Sequence, residues 1–174
     1  LAPVYYLHSR PGLPTRPSSF GGTPSFSSTR GACGTIINDH PALSDFPHDG
    51  WCDLQWYDLV AGERVPHVCA PFHYNTPSVY TLDPWPVKIE PIIRSIPTWK
   101  NCENRAYLFE VGIGQGKLLA TTLRILETIG TRPEGQYLFS SLLRYAASDN
   151  FQPAASVSIE EFDKLRTPVA FMNE

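Results

Sequence analysis

Charged residues are scarce in this chain. Asp, Glu, Lys and Arg together make up 18% of its 174 residues, and the net charge is −3. No basic patch gathers along it, so binding to nucleic acid through phosphate neutralisation has no support. No apolar run approaches the ~20 residues that a membrane-spanning helix needs. Cys33, Cys52, Cys69 and Cys102 are spaced 19, 17 and 33 residues apart. None forms a C-x-x-C pair, which argues against a structural zinc site of the usual kind. Four cysteines admit three disulfide pairings, and buried free thiols are the default in a domain of this size. There is no G-x-S-x-G elbow for a hydrolase serine and no H-E-x-x-H metal helix. Leu1 stands where a start methionine would, with no leader pattern before it, so the chain reads as processed, truncated or cut from something longer.

What is present is a globular composition, 42% hydrophobic, in a chain long enough for one domain with its own core. Its richest stretch runs from His40 to Tyr57. Those eighteen residues hold two Trp, one Tyr, two His, three Asp and one Gln. Aromatic faces beside amides and carboxylates suit sugar rings, which offer apolar C–H faces and hydroxyls in need of partners. The same residues serve equally well as core and as cover for a sheet edge. Trp51, Gln55, Trp56, His48 and Asp53 are the candidate substrate-binding residues.

The pattern along the chain is uneven. Val4 to Leu7 reads as a strand, and Ser9 to Gly34, rich in Pro, Ser, Gly and Thr, as a long surface loop. Such a loop points to a functional segment or one that packs on a missing neighbour. Thr35 to Ile37 suits a short strand, and Asp49 to Val60 a short helix or turn. Pro66, Pro71, Pro77, Pro84, Pro86, Pro91 and Pro97 crowd the next stretch. Within it Lys88 to Ile96 alternates like a strand, with Pro91 marking an edge or bulge. Arg105–Val111 and Lys117–Leu123 read as a β-hairpin around Gly112–Gly116. Arg132-Pro133-Glu134 opens a helix, with Tyr137, Leu138, Ser141, Leu142 and Tyr145 as its buried stripe. Ser158 and Glu161 form a capping box for another.

Several chemical readings fail on these patterns. Gly112-Ile113-Gly114-Gln115-Gly116-Lys117 imitates a phosphate loop. Leu118 replaces the required Ser/Thr, however, and a strand pattern follows where a helix should start, so no nucleotide site is expected. His8, His40, His48, His67 and His73 show no ligand spacing, and no metal site or other cofactor is expected. Asp45, Asp49, Asp53, Asp58 and Glu110 are available to a glycosidase mechanism, but nothing in the sequence pairs two of them across a sugar. No catalytic residue is assigned, and whether the chain belongs to an enzyme is left open by its residues.

One resemblance joins these pieces. H-P-A-L-x-x-F-P followed by W-x-x-x-Q-W-Y-D-L (His40 to Leu59) resembles the C-terminal region of large bacterial glycoside hydrolases, the family 2, β-galactosidase-like enzymes. Pro91-Ile92-Ile93-Arg94-Ser95-Ile96 is similar to their P-I-x-x-x-I strand, and Leu108 to Leu119 to their F-E…G-x-G-K-L-L hairpin. Arg132-Pro133-Glu134, Leu142-Leu143-Arg144-Tyr145 and Phe151-Gln152-Pro153 resemble the closing helix and tail. The ordered series covers roughly residues 20–155. It implies an α/β fold: an incomplete flavodoxin-like or amidotransferase-like sheet with a C-terminal β-hairpin and helix, after a long irregular N-terminal third. It divides the chain into a loop or extension (1–34), an accessory domain (35–155) and a C-terminal helix and tail (156–174). The catalytic pair of such enzymes lies on a separate barrel. The resemblance therefore implies a non-catalytic accessory role in a periplasmic or secreted bacterial glycosidase. Its expected partners are the parent's other domains, an oligosaccharide or a second copy, with no nucleic acid and no membrane insertion. A free-standing carbohydrate-binding module is the alternative, and an independent hydrolase using Asp45 to Asp58 a third.

Overall fold

A computed structural model of the chain describes residues 4–8, 15–17, 32–60, 78–97 and 103–166. Its strands are β1 (Val4–His8), β2 (Thr15–Pro17), β3 (Ala32–Ile37), β4 (Ser78–Thr81), β5 (Ile93–Pro97), β6 (Arg105–Ile113), β7 (Gly116–Thr121) and β8 (Ser156–Val157). Its helices are α1 (Tyr57–Val60), α2 (Ile125–Thr128), α3 (Pro133–Ala147) and α4 (Ile159–Arg166). The expected mixture of helix and strand is present, and among the described residues the strands form one mixed sheet.

β6 is its spine. Nine residues, almost all buried, make it the longest strand described. Ala106 pairs with both Tyr80 of β4 and Arg94 of β5, and Gly112 with both Lys117 of β7 and Ser156 of β8. Leu108 lies between Thr121 of β7 and Ile93 of β5. Hence β7 and β4 follow one another along one edge of β6, and β5 and β8 along the other. β4, β5 and β7 run antiparallel to β6; β8 is parallel to β6 and β1 to β7. A doubly wound flavodoxin-like sheet pairs its strands in parallel through helical crossovers. The centre of this sheet is instead a hairpin, closed by Gly114 at φ +56°, a conformation that suits glycine. The turn is tighter than the glycine run suggests, since Gly112 and Gly116 are strand residues.

Alternation along β6 and β7 divides two cores. Phe109, Val111, Ile113, Leu118 and Ala120 join Tyr80, Leu82, Trp85, Ile89 and Val157 on one face, where Phe162 and Leu165 of α4 add cover. Tyr107, Leu108 and Leu119 join Ile93, Leu138, Leu142, Tyr145 and Trp56 on the other. Tyr107 and Leu108 reach the same core because the register slips between Ile93 and Arg94, leaving Tyr107 as a bulge.

Most of the expected loop from Ser9 to Gly34 lies outside the described residues. β1 docks on β7 and β2 on β4, so residues assigned to an extension belong to the sheet. β5 begins only after Pro91, whose ring cannot donate to the ladder. α3 starts with Pro133 at its first turn, as expected, and buries Gly135, Leu138, Ser141, Leu142 and Tyr145. Tyr137 leaves the expected stripe and is half exposed. Ser158 and Glu161 form the capping box: Ser158 donates from both N–H and Oγ to the carboxylate, and its Oγ accepts the Glu161 N–H. Those bonds hold the Glu161 carboxyl below its ordinary range.

Candidate functional site

The segment from Asn38 to Val60 lies on the α3 face of the sheet. His40 caps a 3-10 turn at Pro41–Leu43 by accepting the Ala42 N–H at Nδ1, 3.2 Å. Its Nε2 lies 3.7 Å from Glu110 Oε1. Glu110 projects from β6 and its side chain is only 10% exposed. Its other oxygen accepts the Tyr145 hydroxyl at 2.7 Å. The His40 ring meets Tyr145 edge-on, centroids 5.4 Å apart. Ser141 of α3 donates to the Ala42 carbonyl at 3.1 Å. Loop, strand and helix are thus joined through one small polar cluster inside a mostly apolar layer. Burial, followed by the Glu110 hydrogen bond and charge, pushes the Tyr145 hydroxyl far above its ordinary titration range. That suits a fixed donor rather than a proton shuttle.

The candidate sugar residues divide. Trp56 is fully buried and packs edge-to-face on Phe46 at 4.7 Å, so neither ring face is open for stacking. Asp53 caps the 3-10 turn Leu54–Trp56 by accepting the Gln55 N–H at 3.1 Å. Gln55 Nε2 donates to the Pro47 carbonyl. His48 Nδ1 accepts the Gly50 N–H at 3.2 Å. Trp51 is 54% exposed and keeps an open ring. The structure therefore gathers these residues in one ordered loop, yet four of the five are engaged in holding it.

The carboxylates follow the same pattern. Asp45 meets Arg144 at 3.0 Å and Asp58 meets Arg132 at 2.9 Å, and Glu110 carries Tyr145. Among the described residues no group of three His, Cys, Asp or Glu side chains is placed to hold a metal ion. Lys117, the would-be phosphate-loop lysine, donates to the Phe151 carbonyl and lies over that ring, 5.6 Å from its centroid. Cys52 is a free thiol beside Thr35, pushed up to about 12 by burial, which makes it a poor nucleophile. His8 lies in β1. His67, His73, Cys69, Cys102 and Trp99 fall outside the described residues.

Sequence reasoning missed how Glu110, His40 and Tyr145 meet. The resemblance motifs included all three, but only the fold joins residues 35 and 70 positions apart.

Residues 15–167 match a family described as a domain of unknown function, DUF8487. The chain belongs to this family. The match begins at β2 and ends just past α4. No curated protein matches the chain. Among the described residues no helix is long and apolar enough to cross a membrane.

Proposed function

We propose that this chain is a non-catalytic accessory domain, or a fragment of one, in a bacterial glycoside hydrolase acting on plant or other complex glycans. One observation carries the reading. The residues that best imitate sugar-site chemistry are engaged in the fold: Trp56 in the core, Asp53 and His48 as backbone caps, Gln55 on a carbonyl. The ordered resemblance from His40 to Pro153 supports the same role. Its partners are then the parent's other domains or a second copy, and a periplasmic or secreted location follows from the resemblance. The finer amidotransferase-like reading of the fold draws support only from the two parallel pairs, β1 with β7 and β6 with β8. Deleting the segment from its parent enzyme is the test. Lost stability or assembly, or altered glycosidase kinetics, is expected; a parent indifferent on all three counts would sink the idea. The isolated chain should be silent on aryl glycosides.

A free-standing carbohydrate-binding module is the second reading, favoured by the open ring of Trp51. Trp85 is buried like Trp56, so neither contributes a platform. Stacking on one ring contributes about 0.5–1.5 kcal/mol beyond buried area, which predicts weak binding. Titration against a glycan panel should quench Trp51 fluorescence in the native chain and not in Trp51→Ala. No heat and no quenching in the native chain would remove this reading.

A further inference from the structure

Two histidines hold one segment from its two ends by the same contact. His40 Nδ1 accepts the Ala42 N–H and His48 Nδ1 accepts the Gly50 N–H, each at 3.2 Å. An imidazole nitrogen accepts only while it carries no proton, so both contacts belong to the neutral ring. The surroundings of the two rings differ. His40 faces the Glu110 carboxylate of β6 and the Tyr145 ring of α3, with Asp39 before it in the chain. His48 has Asp49 after it, and among the described residues no ion pair reaches it. The Gly50 held by His48 sits at φ +85°. Its carbonyl accepts the Ile37 N–H at 2.8 Å, and Cys52 N–H donates to Thr35 Oγ1 at 2.8 Å. These two bonds stitch the segment along β3 and fix where Trp51 stands between them.

We propose that residues 40–52 form a proton-operated latch, hinged at His40 and released at His48. Protonation places an N–H on each Nδ1, so that a donor faces a donor. At His40 the new positive charge is drawn to Glu110, and that end stays. At His48 no carboxylate among the described residues is paired with the ring to hold that charge. Its ring turns away, Gly50 loses its cap, and the stitch to β3 loosens, taking Trp51 with it.

The test is amide hydrogen exchange by NMR on the whole chain, corrected for the intrinsic pH dependence of exchange. On acidification the Ile37 and Cys52 amides should become about five- to tenfold less protected, the scale of one lost hydrogen bond. His48→Asn places an amide oxygen where Nδ1 stands and does not titrate, so protection should persist in acid. His48→Ala has no acceptor and should be open at both ends of the range. His40→Asn should leave the transition in place. A native chain with unchanged protection, a transition that survives in His48→Asn, or one lost in His40→Asn overturns the latch.

Discussion

The two faces of the sheet are closed in different ways. On one, Phe109 sits among Tyr80 and Trp85, edge-to-face at 5.1 and 5.5 Å, and Trp85 meets Phe162 of α4. That core is aromatic and aliphatic, held mainly by shape and burial, with the Tyr80 hydroxyl donating to the Thr121 carbonyl at 3.3 Å. On the other, an apolar layer of similar residues is crossed by polar ties: His40 to Glu110, Tyr145 to Glu110, Ser141 to the Ala42 carbonyl. Apolar packing is non-directional and tolerates repacking, whereas a buried polar contact has one satisfied geometry. Both faces bury apolar side chains and so supply stability, and the second in addition fixes where one loop stands. Function is to be sought at the loop.

Phe109→Ala gives this comparison its hardest test. The side chain, on β6, is fully buried against two aromatic neighbours, Tyr80 and Trp85, and its loss should cost about 3–5 kcal/mol through lost transfer and a residual cavity. Chemical denaturation measures it. A loss confined to about 1 kcal/mol would mean that this face does not carry the stability assigned to it.

Tyr145→Phe probes the other face. It removes one hydroxyl and leaves the ring on Phe151 and His40. A hydrogen bond to a charged group contributes about 1.5–3 kcal/mol, so a loss of that size is expected, with little change in cooperativity. The pH dependence has a defined sign. The folded state raises the Tyr145 hydroxyl above its ordinary value near 10. Its contribution is complete below pH ~10 and is lost as pH rises through and beyond that value. Stability should fall with rising alkalinity more steeply in the native chain than in Tyr145→Phe. Parallel curves would contradict the burial and Glu110 contact.

How much of this was legible in the sequence follows the same division. The β6–β7 hairpin, α3 and the Ser158 box could be read because local pattern decides them: alternation, a proline at the first turn, a side-chain cap. β2, β4, β8 and α2 could not. Each is only two to four residues long and forms where a longer neighbour offers an edge or a helix. Trp56 and Trp51, five residues apart and alike in composition, ended in the core and on the surface. That outcome depends on Phe46 and on Asp53, which turns the chain between them. The Glu110 cluster is long-range by nature, and no spacing announces it.

Gly135→Ala sharpens the comparison at the α2–α3 contact. A Cβ there would clash with Thr128 Oγ1 and lie 3.0 Å from its backbone carbonyl carbon. Thr128 Oγ1 is itself tied to the Arg124 carbonyl at 2.6 Å, so it cannot swing aside freely. Overpacking of this kind costs about 1–3 kcal/mol, even though alanine is the better helix former. Stabilisation by Gly135→Ala would show that α2 yields, and that the helical layer is looser than its close approach implies.

The smallest effect is expected at Arg144. Its guanidinium meets Asp45 at 3.0 Å, but the two side chains are 59% and 51% exposed. An exposed pair contributes about 0.2–1 kcal/mol and is screened by salt. Arg144→Ala should therefore barely move the unfolding midpoint, and high salt should erase even that. The contrast with Tyr145, the next residue of α3, is the informative part. One side chain reaches into the layer and fixes Glu110; its neighbour reaches over the loop in water. If both substitutions cost the same, the polar ties of this face owe nothing to burial, and the distinction between a loop held from within and one merely touched from outside fails.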